Sequence, residues 1–109
     1  MLFRSAEIDV DGCTRSIGIE FERSAKSVTR YAAIREALDK DTTTDLVFYL
    51  TASDDVLYLL AMELRAARKR IAFALSDQFR RSLLETRTLT NTASSEILPL
   101  RELLDLAHP

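Results

Sequence analysis

Residues 5–22 read Ser-Ala-Glu-Ile-Asp-Val-Asp-Gly-Cys-Thr-Arg-Ser-Ile-Gly-Ile-Glu-Phe-Glu. Apolar and polar side chains alternate through both halves of this stretch, the signature of two half-buried strands. Ala6, Ile8 and Val10 point one way, and Ser5, Glu7 and Asp9 the other. Beyond the break, Cys13, Ile17, Ile19 and Phe21 form an apolar side, with Thr14, Ser16, Gly18, Glu20 and Glu22 opposite. The break itself, Asp11-Gly12, is the strongest short hairpin-turn signal. A two-residue turn there pairs Val10 with Cys13, Ile8 with Arg15, Ala6 with Ile17 and Ser5 with Gly18. Directly paired residues share a face, so the two apolar stripes coincide. Arg15 interrupts the stripe close to the turn, where a long side chain is expected to reach water. The expected element is a β-hairpin over about residues 2–22.

The pattern then changes period. From about Ala25 to Asp39, the residues Val28, Tyr31, Ala32, Ile34, Ala37 and Leu38 recur at helical spacing, with Ser24 or Ser27 as a cap. Asp39 to Thr44 is a polar break. Leu46 to Leu50 is a continuous apolar run, as in a strand buried on both faces. Ser53, Asp54 and Asp55 provide a cap and an acidic first turn for a second helix. That helix is expected to reach about Arg70, with Arg65, Arg68, Lys69 and Arg70 at its negative end. Ile71 to Leu75 reads as a strand and Ser76 to Glu85 as a short helix. Thr86 to Ser95 reads as a loop with room for a strand, and Pro99 to Ala107 as a terminal helix entered through Pro99. The order predicts an α/β fold, with a mixed sheet that starts in a hairpin and continues helix–strand–helix–strand. Residues 1–109 form one domain, with 85–109 as a variable C-terminal tail and helix.

Composition narrows the function classes. Of 109 residues, 47% are hydrophobic and 29% charged, an ordinary globular balance. With 15 basic and 17 acidic side chains, the formal net charge is −2, which leaves only local basic patches for nucleic acid. The single cysteine, Cys13, rules out an internal disulfide, and a cytoplasmic location follows as the expectation. His108 is the sole histidine, so a cysteine–histidine zinc site and a histidine-based triad are not available. Met1 to Ser5 has no apolar stretch of signal-peptide length, and no run of 18 apolar residues occurs, so no membrane partner is expected. Neither a Walker A motif nor Gly-x-Gly-x-x-Gly is present. Cys13 is expected to be a buried thiol. Phe48, Tyr49, Tyr58 and Phe73 are expected in the core, and Tyr31 is expected to pack its ring and show its hydroxyl. Arg65, Arg68, Lys69, Arg70, Arg80 and Arg81 are read as helix-end cations before phosphate contacts.

Glu20 and Glu22, two apart on one strand, share a face with Glu7 and Asp9. Neighbouring carboxylates raise each other's pKa unless a cation lies between them, and Mg²⁺ or Mn²⁺ suits oxygen ligands. Such a metal activates water for phosphodiester cleavage. Alternating glutamates on a half-exposed strand also serve solubility alone.

Residues 18–31, Gly-Ile-Glu-Phe-Glu-Arg-Ser-Ala-Lys-Ser-Val-Thr-Arg-Tyr, resemble a segment of the plasmid replication-relaxation family. There an apolar strand ends in Glu-x-Glu/Asp-Arg, followed by a Ser/Thr/Lys stretch and a helix bearing an Arg-Tyr-like pair. The resemblance extends over roughly residues 4–75, with Leu46–Thr51 as the next strand. It implies a PD-(D/E)XK, restriction-endonuclease-like core and a winged-helix domain or protein as companion. Carried onto this chain, the acid of the Glu-x-Lys pair falls on Glu20. The lysine position falls on Glu22, with Lys26 as a relocated substitute. The preceding aspartate falls near Ser5, with Glu7 or Asp9 as replacements. Two of three positions depart from the active pattern. The resemblance therefore implies a DNA-associated accessory protein of a plasmid, phage or other mobile element that has lost hydrolysis. Arg23, Lys26 and Arg30 would face phosphate, and no cofactor is expected. The alternatives are an active Mg²⁺-dependent endonuclease and a protein–protein module. In the first, Glu20, Glu22 and Lys26 would be catalytic, with Glu20, Glu7 and Asp9 on the metal. The second would be a docking domain or homodimer without DNA binding.

Overall fold

Two periodicities decide where each element lies, and the computed structural model, which describes residues 4–10, 12–91 and 97–106, follows them closely. Strands β1 (Arg4–Val10) and β2 (Cys13–Glu22) form an antiparallel hairpin with the predicted register, from Ser5 opposite Gly18 to Val10 opposite Cys13. Asp11 lies outside the described residues. Gly12 adopts φ +81°, a left-handed conformation that a side chain would strain, although nothing lies within 4 Å of the space a Cβ would take.

Helix α1 (Val28–Lys40) starts at Ser27, whose hydroxyl accepts from the Arg30 amide at 3.2 Å. Strand β3 (Leu46–Thr51) is buried throughout. Helix α2 (Asp54–Glu63) begins at Ser53, the predicted cap. It stops at Glu63 rather than near Arg70, so Arg65, Arg68, Lys69 and Arg70 lie in the following loop. The loop backbone is held from outside: Asp39 Oδ1 accepts from the amides of Arg68 and Lys69 at 2.6 and 3.3 Å. These bonds divert the Arg68 and Lys69 amides from the carbonyls that a continuing helix would offer them, against the helical propensity of the Arg/Ala stretch.

Strand β4 (Ile71–Leu75) runs directly into α3 (Ser76–Ser82) and a 3-10 turn at Leu83–Glu85. Thr86 to Asn91, predicted mostly as loop, contains β5 (Arg87–Thr90), and 92–96 lie outside the described residues. Short β6 (Leu98–Pro99) precedes α4 (Leu100–Leu106), so Pro99 ends a strand one residue before the helix. His108 lies outside the described residues.

Strand order is β1-β2-β3-β4-β5-β6. β2, β3 and β4 are parallel, and the flanking pairs are antiparallel. The sheet is thus mixed, as expected, with a helix layer on each face. On one face, Tyr31, Ile34 and Leu38 of α1 and Leu57 and Leu60 of α2 pack on Val47, Tyr49, Ile71 and Phe73. On the other, Leu100, Leu103 and Leu104 of α4 pack with Ile17, Phe48, Leu50 and Ala72.

Several individual expectations fail for physical reasons. Arg15 is buried: its Nε donates to the Leu104 carbonyl at 3.1 Å, serving one of the last carbonyls of α4. Phe21, on the predicted apolar side, is 47% exposed, whereas Glu22 on the polar side is buried. The face carrying Glu22 is the one that α1 covers. Tyr58 is exposed on the outer side of α2 and not in the core. Cys13 is half-buried.

Candidate functional site

The parallel register carries Glu20 and Glu22 to the C-terminal edge of the sheet, where sites in α/β folds gather. Glu20 stands beside Tyr49, which stands beside Phe73. Glu22 stands beside Thr51. α1 starts immediately past this edge and closes over it. Tyr31, in its first turn, is buried, and its hydroxyl accepts from the Lys26 amide at 2.9 Å. The hydroxyl is therefore used internally, not displayed. That bond fixes the segment between β2 and α1, and it holds Lys26 where its ammonium pairs with Glu22.

The electrostatics follow from this packing. Burial pushes the Glu20 carboxyl above its ordinary range, and the Glu22 charge adds to it; Lys26 and Arg4 act in the opposite direction without cancelling it. Burial likewise pushes the Tyr49 hydroxyl up, with the charges of Glu20 and Glu22 reinforcing it, so the phenol stays neutral. The site combines one carboxylate neutralised by a lysine, one that resists ionisation, and two phenols.

The sequence-predicted residues divide clearly. Glu20, Glu22 and Lys26 come together. Glu7 and Asp9 share their face but lie towards the hairpin turn, opposite Ser16 and Thr14. Ser16 is four residues before Glu20, about 13 Å along a strand. Asp9 also accepts from the Thr14 hydroxyl at 2.6 Å. Among the described residues, no three of His, Cys, Asp and Glu converge, and Lys26 occupies Glu22. Arg23 and Arg30 are exposed near the entrance of α1, and the Arg23 guanidinium sits 5.9 Å from the Phe21 ring centroid. Lys26, its ammonium already paired, does not join them as a free cation. Tyr49 and Tyr31 are both in the core, as expected; Tyr49 comes beside Glu20 through the parallel pairing of β2 with β3, and Tyr31 reaches the Lys26 segment from α1.

No protein-family model, curated protein or solved structure matches the chain. No helix among the described residues is long and apolar enough to cross a membrane.

A carboxylate with a raised folded-state pKa weakens the fold wherever it is ionised. Glu20→Gln should therefore raise Tm at pH 7, and the gain should vanish below about pH 4, where an unfolded glutamate is also protonated. Thermal unfolding of both proteins across that range checks the sign.

Proposed function

We propose that the chain is a nuclease-like, restriction-endonuclease-type domain without hydrolytic activity, serving as a DNA-associated accessory of a plasmid, phage or other mobile element. The observation that carries this reading is the Glu22–Lys26 ion pair. In a working metal nuclease, the acid would hold the cation and the lysine would help to activate water. Here Lys26 is paired with Glu22, which stands at the lysine position, and not with the metal-binding acid Glu20; its ammonium is therefore not free for that role, and Tyr31 holds its segment in place. The antiparallel hairpin leading into a parallel strand through α1 supports the fold half of the proposal.

The DNA half rests on Arg23 and Arg30. Both are exposed, and they flank the start of α1, whose first turn contains no acidic residue. Amides at that helix end add to their attraction for phosphate. Lys26 contributes to this face by shape and not by free charge. A winged-helix partner would supply sequence selection, since these contacts read backbone only.

Fluorescence anisotropy with a labelled duplex should show binding that weakens as salt rises. Arg23→Ala and Arg30→Ala should each lower affinity by about 5-fold and reduce the salt slope by about one. Supercoiled plasmid with Mg²⁺ should stay intact. Mg²⁺-dependent nicking that disappears in Glu20→Gln would establish the active-nuclease alternative instead. Self-association with no DNA binding would favour the docking module.

A further inference from the structure

The opposite face of the sheet carries a second feature, independent of the carboxylate edge. Between the hairpin and the α3–α4 layer lies a half-open pocket of about 200 Å³, lined among the described residues by apolar side chains alone. The hairpin supplies Ile8, Ile17 and Ile19, β3 supplies Phe48, and Leu83 and Leu84 bound it from the 3-10 turn. An apolar cavity of about 150 Å³ stays dry and admits benzene, so a space of this size is large enough for a substituted ring or a short alkyl chain. With no donor or acceptor among the described lining residues, a polar group inside would lose its water without compensation.

The rim adds a separate observation. Leu83 has φ +46° and is the one non-glycine with positive φ among the described residues. It is also 59% exposed although it borders an apolar space. Backbone strain of this kind persists only where the surroundings impose it, and it gathers at ligand clamps. The strain here lies at the junction of α3 and the 3-10 turn, beside the pocket.

We propose that this pocket is a binding site for a small uncharged apolar molecule, with Leu83 at its entrance. The probes are toluene, benzyl alcohol and octanoate, added to the intact chain. Toluene should bind saturably, shift the methyl NMR signals of Ile8, Ile17 and Ile19, and raise Tm by about 3 °C near saturation. Benzyl alcohol should bind at least 10-fold more weakly, because its hydroxyl finds no partner. Octanoate, whose carboxylate has no partner in this lining, should give no such methyl shifts, and octanoate binding as tight as toluene's overturns the proposal. Ile19→Phe and Leu84→Phe, which fill the space, should abolish toluene binding. The proposal is overturned if toluene gives no saturable methyl shifts, if benzyl alcohol binds equally well, or if a folded filling variant binds toluene unchanged. Should neither variant fold, the toluene and benzyl alcohol arms on the unmodified chain decide.

Discussion

Lys69→Met should be among the most damaging single substitutions in the domain, lowering stability by about 3 kcal/mol and Tm by on the order of 15 °C. Lys69 and Asp41 form an ion pair at 2.9 Å, and both side chains are 10% exposed. The ammonium also donates to the carbonyls of Asp41 and Thr44, at 3.0 and 2.6 Å. One lysine thus ties the end of α1, the start of β3 and the loop before β4. Methionine keeps the stem but leaves a buried carboxylate and two carbonyls short of a donor. Burial alone would push the Asp41 carboxyl up, but hydrogen bonds from Thr43, Thr44 and Lys69 outweigh it and hold it well below the ordinary carboxylate range. A depressed folded-state pKa contributes stability that is present above the unfolded value and is lost as pH falls through the folded one. The difference between the two proteins should therefore persist from pH 7 down past pH 4 and shrink only in strong acid. Urea titrations at pH 7, 4 and 2 measure it. Equal unfolding midpoints at pH 7 would show that the clamp is dispensable.

The fold was legible in the sequence where one physical signal dominates. The hairpin register follows from Asp11-Gly12 and the period-two alternation, and every pairing inferred from them is present. Ser53, and Ser27 of the two serines the sequence offers for α1, mark their helix starts because each hydroxyl accepts from a first-turn amide. Failures occur where partners distant in sequence decide. Arg15 reads as a surface residue until α4 places the Leu104 carbonyl beside it. α2 ends early because Asp39, almost 30 residues upstream, captures the amides of Arg68 and Lys69. β5 is short and antiparallel, and its Thr-rich pattern carries no strong period.

The candidate site was legible in part for the same reason. The period-two rule places Glu20 and Glu22 on one face, but the pairing of Lys26 with Glu22 comes from the non-helical segment before α1, which Tyr31 holds in place. Which of the two faces would be covered is not a property of β2 alone. Alternation makes Phe21 the buried residue and Glu22 the exposed one; α1 covers the Glu22 face, while Phe21, on the other face, is left exposed. Nor could the hairpin reveal that Glu7 and Asp9 fall at the far end, until antiparallel pairing is combined with the direction of β2. Tyr49 enters the site only through the register of β2 against β3.

Lys26→Met tests the central ion pair and should differ sharply from Glu22→Gln. Glu22 is 11% exposed at its side chain and Lys26 32%. Removing the lysine strands a nearly buried carboxylate next to Glu20, a cost of about 2–3 kcal/mol at pH 7. Removing the carboxylate leaves an ammonium that swings into water, a cost below about 1 kcal/mol. In Lys26→Met the two glutamates then share one edge without a cation, so the folded protein takes up a proton more readily than the unfolded chain. A raised folded-state pKa gives full stability below the unfolded glutamate value and a penalty that grows as pH rises above it. Lys26→Met should therefore come close to the unmodified protein near pH 4 and fall furthest behind it near pH 7. Adding Glu20→Gln should recover much of the loss at pH 7, because one of the two repelling charges is gone. Thermal melts of the four proteins at both pH values are sufficient. A pH-independent loss in Lys26→Met, unrelieved by Glu20→Gln, would mean that the lysine acts through packing alone. The ion pair would then not be what holds Lys26 at this edge of the sheet.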